Sequence, residues 1–89
     1  MAATVISYDL RAPGRDYTAL HDAIKSLGAW ARPLESLWVV QTNTSTTDAA
    51  KYLRQFIDAN DRLLVFRSNN HGAWYNLAPG TEDWIKQNL

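Results

Sequence analysis

The amino-acid sequence predicts an α+β sandwich, and three observations carry that prediction. Segments rich in β-branched and aromatic residues alternate with two helical repeats in the order β-α-β-β-α-β. Hydrophobic residues make up 46% of the chain and charged residues 20%, which are globular values. Its 89 residues suit one core, so residues 1–89 are expected to form a single domain. Size scaling has folding bury roughly 64% of the unfolded chain's surface.

Thr4-Val-Ile-Ser-Tyr-Asp-Leu10 reads as the first strand, ending at the turn cluster Arg11-Ala-Pro-Gly14. Asp16 is suited to cap a helix in which Tyr17, Leu20, Ile24 and Leu27 recur at helical spacing. Gly28 falls where a helix end favours a left-handed residue. From Ala29 a short strand interrupted by Pro33 bends at Leu34-Glu35-Ser36 into a strong strand, Leu37–Thr42. Ser45 or Thr46 caps the second helix, whose apolar face is Ala50, Leu53 and Ile57. Arg62–Arg67 is the fourth strand. The segment His71–Leu77 reads as a fifth, short strand, and Thr81-Glu-Asp opens a last short helix with Trp84, Ile85 and Leu89 as its stripe.

This order is the split β-α-β arrangement of a ferredoxin-like βαββαβ sandwich, with a C-terminal strand and short-helix tail. Right-handed crossovers place both main helices on one face of an antiparallel sheet. The other face then needs cover from the tail, a partner subunit, or both. Ile6, Leu20, Ile24, Leu27, Val40, Leu53, Ile57 and Leu64 are the expected core.

Nine Lys and Arg balance nine Asp and Glu, which excludes a chain driven onto nucleic acid by bulk charge. A local patch stays open, since six of the nine cations are Arg. Zero cysteine excludes a disulfide scaffold, a Cys-liganded zinc site and a Cys nucleophile. Apolar runs such as Leu63–Phe66 fall far short of a membrane span, and no signal peptide is readable, so a cytoplasmic protein with no membrane partner is expected.

Asp9 leaves the first strand at its end, where loops build sites. It can cap the following turn, pair with Arg11 or Arg15, or serve chemistry. Arg11 and Arg15 flank a Pro-Gly turn ahead of a helix and suit a phosphate, although a solvated charged loop explains them more simply. His21 and His71 lack metal-ligand spacing and read as surface residues; a general-base role would need the fold to bring one near Asp9. Trp38 and Trp84 occupy core positions rather than base-stacking ones, and Trp74-Tyr75 suits a dimer contact. No Gly-rich phosphate loop, Gly-x-Ser-x-Gly elbow or paired carboxylate motif is present.

The run Ser-Tyr-Asp-Leu-Arg-Ala-Pro-Gly-Arg-Asp-Tyr at Ser7–Tyr17, with the Leu-Glu-Ser-Leu-Trp bend at Leu34–Trp38, resembles the SinR-like proteins. These sit in a superfamily with the small subunit of the CRISPR adaptation complex and virulence-associated protein D. The resemblance covers nearly the whole chain and implies a ferredoxin-like homodimer. It also implies a metal-dependent endonuclease or nucleic-acid-binding protein, with Asp9 as the catalytic residue and Mg²⁺ ligand. Arg11 and Arg15 then stand on the phosphate side, stabilising charge on the phosphate oxygens. One carboxylate per subunit suffices for Mg²⁺ only if a dimer supplies the second. The alternative is a non-catalytic dimeric module that binds a protein partner within a defence or toxin–antitoxin system.

Overall fold

The computed structural model describes residues 2–11, 16–69 and 72–88. Strand β1 (Ala2–Asp9) leads to helix α1 (Thr18–Lys25), the hairpin β2 (Ala29–Leu34) and β3 (Leu37–Thr42), and helix α2 (Thr46–Leu53) with a 3-10 turn at Arg54–Phe56. Strand β4 (Arg62–Arg67) and helix α3 (Pro79–Asn88) follow. The four strands form one antiparallel sheet in the order β2-β3-β1-β4. This is an α+β fold compatible with a ferredoxin-like type.

Side-chain alternation along the strands divides the sheet into two faces. Ile6 and Tyr8 of β1, with Trp38 and Val40 of β3, pack beneath Leu20, Ala23 and Ile24 of α1 and Leu53 of α2. On the opposite face Ala3 and Val39 meet Ile85 of α3, with Leu37, Trp74, Leu77 and Trp84 around them. The tail therefore covers part of the second face with one helix.

Local chemistry sets the element ends. Ser45 caps α2 by accepting the Asp48 N–H at 3.1 Å. Asp16 acts one residue outside α1, where its carboxylate accepts both the N–H (2.9 Å) and the hydroxyl (2.5 Å) of Thr18. Gly28 is not the left-handed helix cap its position suggested. Its φ of 156° lies beyond the α1 turn, and a Cβ there would collide with the Gln41 carbonyl oxygen. Glycine is needed for this close approach of backbones.

Three expectations need correction. Among the described residues no strand forms between Gly72 and Leu77; the segment is irregular and Asn76 takes a φ of 62°. Trp74 and Leu77 lie against the second sheet face, where there is no strand edge to pair with. Leu64 is 58% exposed, because Leu63 and Val65 take the helix-facing positions of β4. A one-residue difference in strand phase exchanges the faces. Leu27 and Ile57 are half-buried at the margin of the first core, whereas Ile6, Leu20, Ile24, Val40 and Leu53 are fully buried.

Candidate functional site

Asp9 ends β1 opposite Arg62 of β4, on the face away from α1 and α2. Its Oδ2 accepts two bonds from Arg11, from Nη2 at 2.8 Å and Nε at 3.1 Å. Both side chains stay about half exposed. An exposed pair of this kind contributes about 0–1 kcal/mol, so it fixes where the carboxylate points more than it stabilises the fold.

A second carboxylate, Asp61, ties the same corner together. Its Oδ1 accepts the Arg11 backbone N–H at 2.6 Å, and its Oδ2 accepts the Tyr17 hydroxyl and the Asp58 N–H, each at 2.8 Å. The exit of β1, the entry to α1 and the loop before β4 thus meet on one side chain. Arg11 is held at both its backbone and its guanidinium, and its fork is turned onto Asp9. Arg15 lies outside the described residues, as does His71.

Ser7, Asp9, Arg62 and Leu64 surround a shallow depression of about 210 Å³. No group of three or more His, Cys, Asp or Glu residues able to hold a metal ion occurs among the described residues. Within one chain Asp9 therefore offers a single carboxylate already engaged by a cation. That does not match the oxygen-rich shell that Mg²⁺ takes unless a second copy contributes.

Beside Asp9 the sheet surface turns apolar. Leu34, Leu64 and Phe66 are 55%, 58% and 46% exposed, and Tyr75 is almost fully exposed. A groove of about 520 Å³ runs between this surface and the tail, floored by Val5, Leu37 and Val39 and walled by Trp74 and Ile85. Helix α3 reaches towards β2, so the β4 side of the face remains open.

On the helix side of the sheet lies a cleft of about 450 Å³ lined by Tyr8, Asp9, Tyr17, His21, Arg32 and Ser36, among others. The Tyr8 hydroxyl accepts from Trp38 Nε1 at 3.0 Å and stands 3.3 Å from His21 Nε2 and 3.4 Å from the Glu35 carbonyl oxygen. Arg32 donates Nε and Nη2 to that same carbonyl at 3.0 and 2.6 Å and lies over the Trp38 ring at 5.0 Å. Burial pushes the His21 imidazole below the ordinary histidine value; Arg32 and Lys25 add to that, and Asp22 and Asp16 oppose it.

Sequence reasoning placed His21 on the surface, yet the spacing Tyr17–His21–Ile24 is that of the apolar stripe itself. Arg32 also carried a signal, since strand alternation puts it on the same face as Trp30. His21 and Asp9 both border the cleft, although the strand alternation directs the Asp9 carboxylate to the opposite face.

No family model matches the chain, and no solved structure matches it at a significant level. No helix among the described residues is long and apolar enough to cross a membrane.

Proposed function

We propose that the chain is a cytoplasmic, SinR-like ferredoxin-like sandwich that works as a non-catalytic dimeric interaction module. One observation carries the reading: the open sheet face is apolar at Leu34, Leu64 and Phe66, and the carboxylate beside it is closed by Arg11. Exposed apolar side chains on one sheet face favour association over solvation. A two-fold axis lets the same patch serve both subunits. The strand order β2-β3-β1-β4 supports the ferredoxin-like assignment. Light scattering of the purified chain tests the reading: a dimer mass is expected, and Phe66→Glu should reduce it to that of the monomer.

The metal-dependent endonuclease is the second reading, and the placement of Asp9 on this same face favours it. Stacking two copies face to face would bring two Asp9 carboxylates towards one axis, where Mg²⁺ could bridge them and Arg11 could turn to phosphate. Phosphodiester cleavage by the wild type in Mg²⁺ or Mn²⁺, lost in Asp9→Ala and in chelator, would establish this reading over the first.

A further inference from the structure

We infer that the cleft between α1 and the β2–β3 hairpin is an oxyanion site for a phosphate group, with Arg32 and His21 as its ligands. The inference is independent of any metal at Asp9 and of the dimer.

The geometry begins with Arg32. Its described bonds use Nε and Nη2, both to the Glu35 carbonyl, while Nη1 makes none among the described residues. Stacking on Trp38 and the two bonds to the hairpin turn fix the guanidinium plane, which reduces the entropy lost on gripping a ligand. His21 faces it from α1. Its ring lies 5.7 Å from the Trp38 ring and 6.2 Å from the Tyr8 ring, so it is held between two aromatic neighbours of the sheet. Tyr8 is 8% exposed, and its hydroxyl accepts from Trp38, which leaves its own proton for His21 Nε2 or the Glu35 carbonyl.

Charge around the ring follows a pattern that an anion would resolve. Arg32 from β2 and Lys25 from α1 oppose protonation of His21, and Asp22 and Asp16 favour it. Asp9 and Glu35 also border the cleft, but the Asp9 carboxylate is committed to Arg11. A phosphate beside Arg32 would screen the two cations and let His21 bind a second proton. Nε2–H would then donate to the Tyr8 oxygen, and Tyr8 to Glu35. In this arrangement Trp38 Nε1–H, His21 Nε2–H and the Tyr8 hydroxyl each keep an acceptor. Arg11, one of the two cations put forward for phosphate from the sequence, has its fork occupied; Arg32 takes that part.

The test follows the His21 ring resonances through a pH titration. It uses no ligand, inorganic phosphate, chloride at matched ionic strength, and a short single-stranded oligonucleotide. Phosphate or oligonucleotide should raise the His21 midpoint, chloride should not, and Arg32→Gln should remove the response. The pH comparison is made with the oligonucleotide, whose diesters keep one charge throughout. Its binding should be about tenfold tighter near pH ~5.5 than near pH ~7.5. If Arg32→Gln does not fold, His21→Gln serves instead, retaining binding through Arg32 but losing that pH dependence. Tighter binding of the oligonucleotide than of inorganic phosphate identifies a nucleic-acid backbone as the source; the reverse identifies a free phosphate. A His21 midpoint unmoved by both, moved equally by chloride, or still moved in a folded Arg32→Gln protein would overturn the site.

Discussion

Arg11 reaches back two residues to close on Asp9, with Nη2 and Nε on a single carboxylate oxygen at 2.8 and 3.1 Å. The strand-end acid that the SinR-like resemblance puts forward as a metal ligand is a charge partner of its own turn. The Asp61 bond to the Arg11 backbone holds that turn against the loop preceding β4.

Metal provides the first check on this arrangement. Ligands that bind the native state raise the melting temperature by mass action. Millimolar Mg²⁺ or Mn²⁺ should leave the wild-type melting temperature unchanged. Asp9→Asn should lower stability by no more than about 1 kcal/mol, as expected for an exposed pair. A metal-induced rise that Asp9→Asn abolishes would instead support the nuclease reading.

Core truncations separate the two sheet faces. Ile24→Ala and Leu53→Ala remove fully buried side chains and should each cost about 2–5 kcal/mol in denaturant unfolding. Leu64→Ala, on the open face, should cost under about 0.5 kcal/mol when measured in the monomeric state.

Backbone crowding makes Gly28 a third test. Alanine would place its Cβ against the Gln41 carbonyl, at a φ that L side chains rarely adopt. Gly28→Ala should destabilise the chain by more than about 1 kcal/mol, read as a lower midpoint in urea. Gly80→Ala, in α3 with open space around its Cβ position, should be neutral or stabilising.

Much of the fold was legible because its signals are local. Helix spacing identified Leu20, Ile24 and Leu53, β-branched and other apolar runs identified β1, β3 and β4, and the change of pattern after Gly28 with the bend before Leu37 identified β2. Leu64 was misplaced because Leu63-Leu-Val-Phe66 is apolar throughout, and a continuous apolar run carries no phase. Segment 72–77 read as a strand because Trp74 and Tyr75 have strand propensity, but pairing requires a segment to run alongside a sheet edge, and the tertiary structure lays Trp74 and Leu77 against the sheet face instead. Asp9 and Arg11 were visible as neighbours. Their pairing was one of the readings the sequence offered, whereas the Asp61 bond that holds the Arg11 backbone, and the meeting of His21 with Tyr8 and Arg32, depend on contacts between residues far apart in sequence.

Protonation of His21 gives a pH dependence with a definite sign. Its folded value lies below the ordinary one near ~6.5, so the unfolded chain takes up the proton more readily. Stability is then fully present above the unfolded value. It falls as pH drops through that value and levels off below the folded one. Urea midpoints recorded across this window should decline towards acid in the wild type and decline less in His21→Gln. Since His71 is present in both proteins, the difference isolates His21.

The central claim, that the open face of Leu34, Leu64 and Phe66 joins two copies, is tested most directly by mass in solution. Light scattering coupled to size exclusion at micromolar concentration should give twice the 10.1 kDa chain mass for the wild type. Phe66→Glu should run as a folded monomer, with its circular dichroism unchanged. A wild type that stays at the monomer mass, or a Phe66→Glu protein that remains dimeric, would contradict the account.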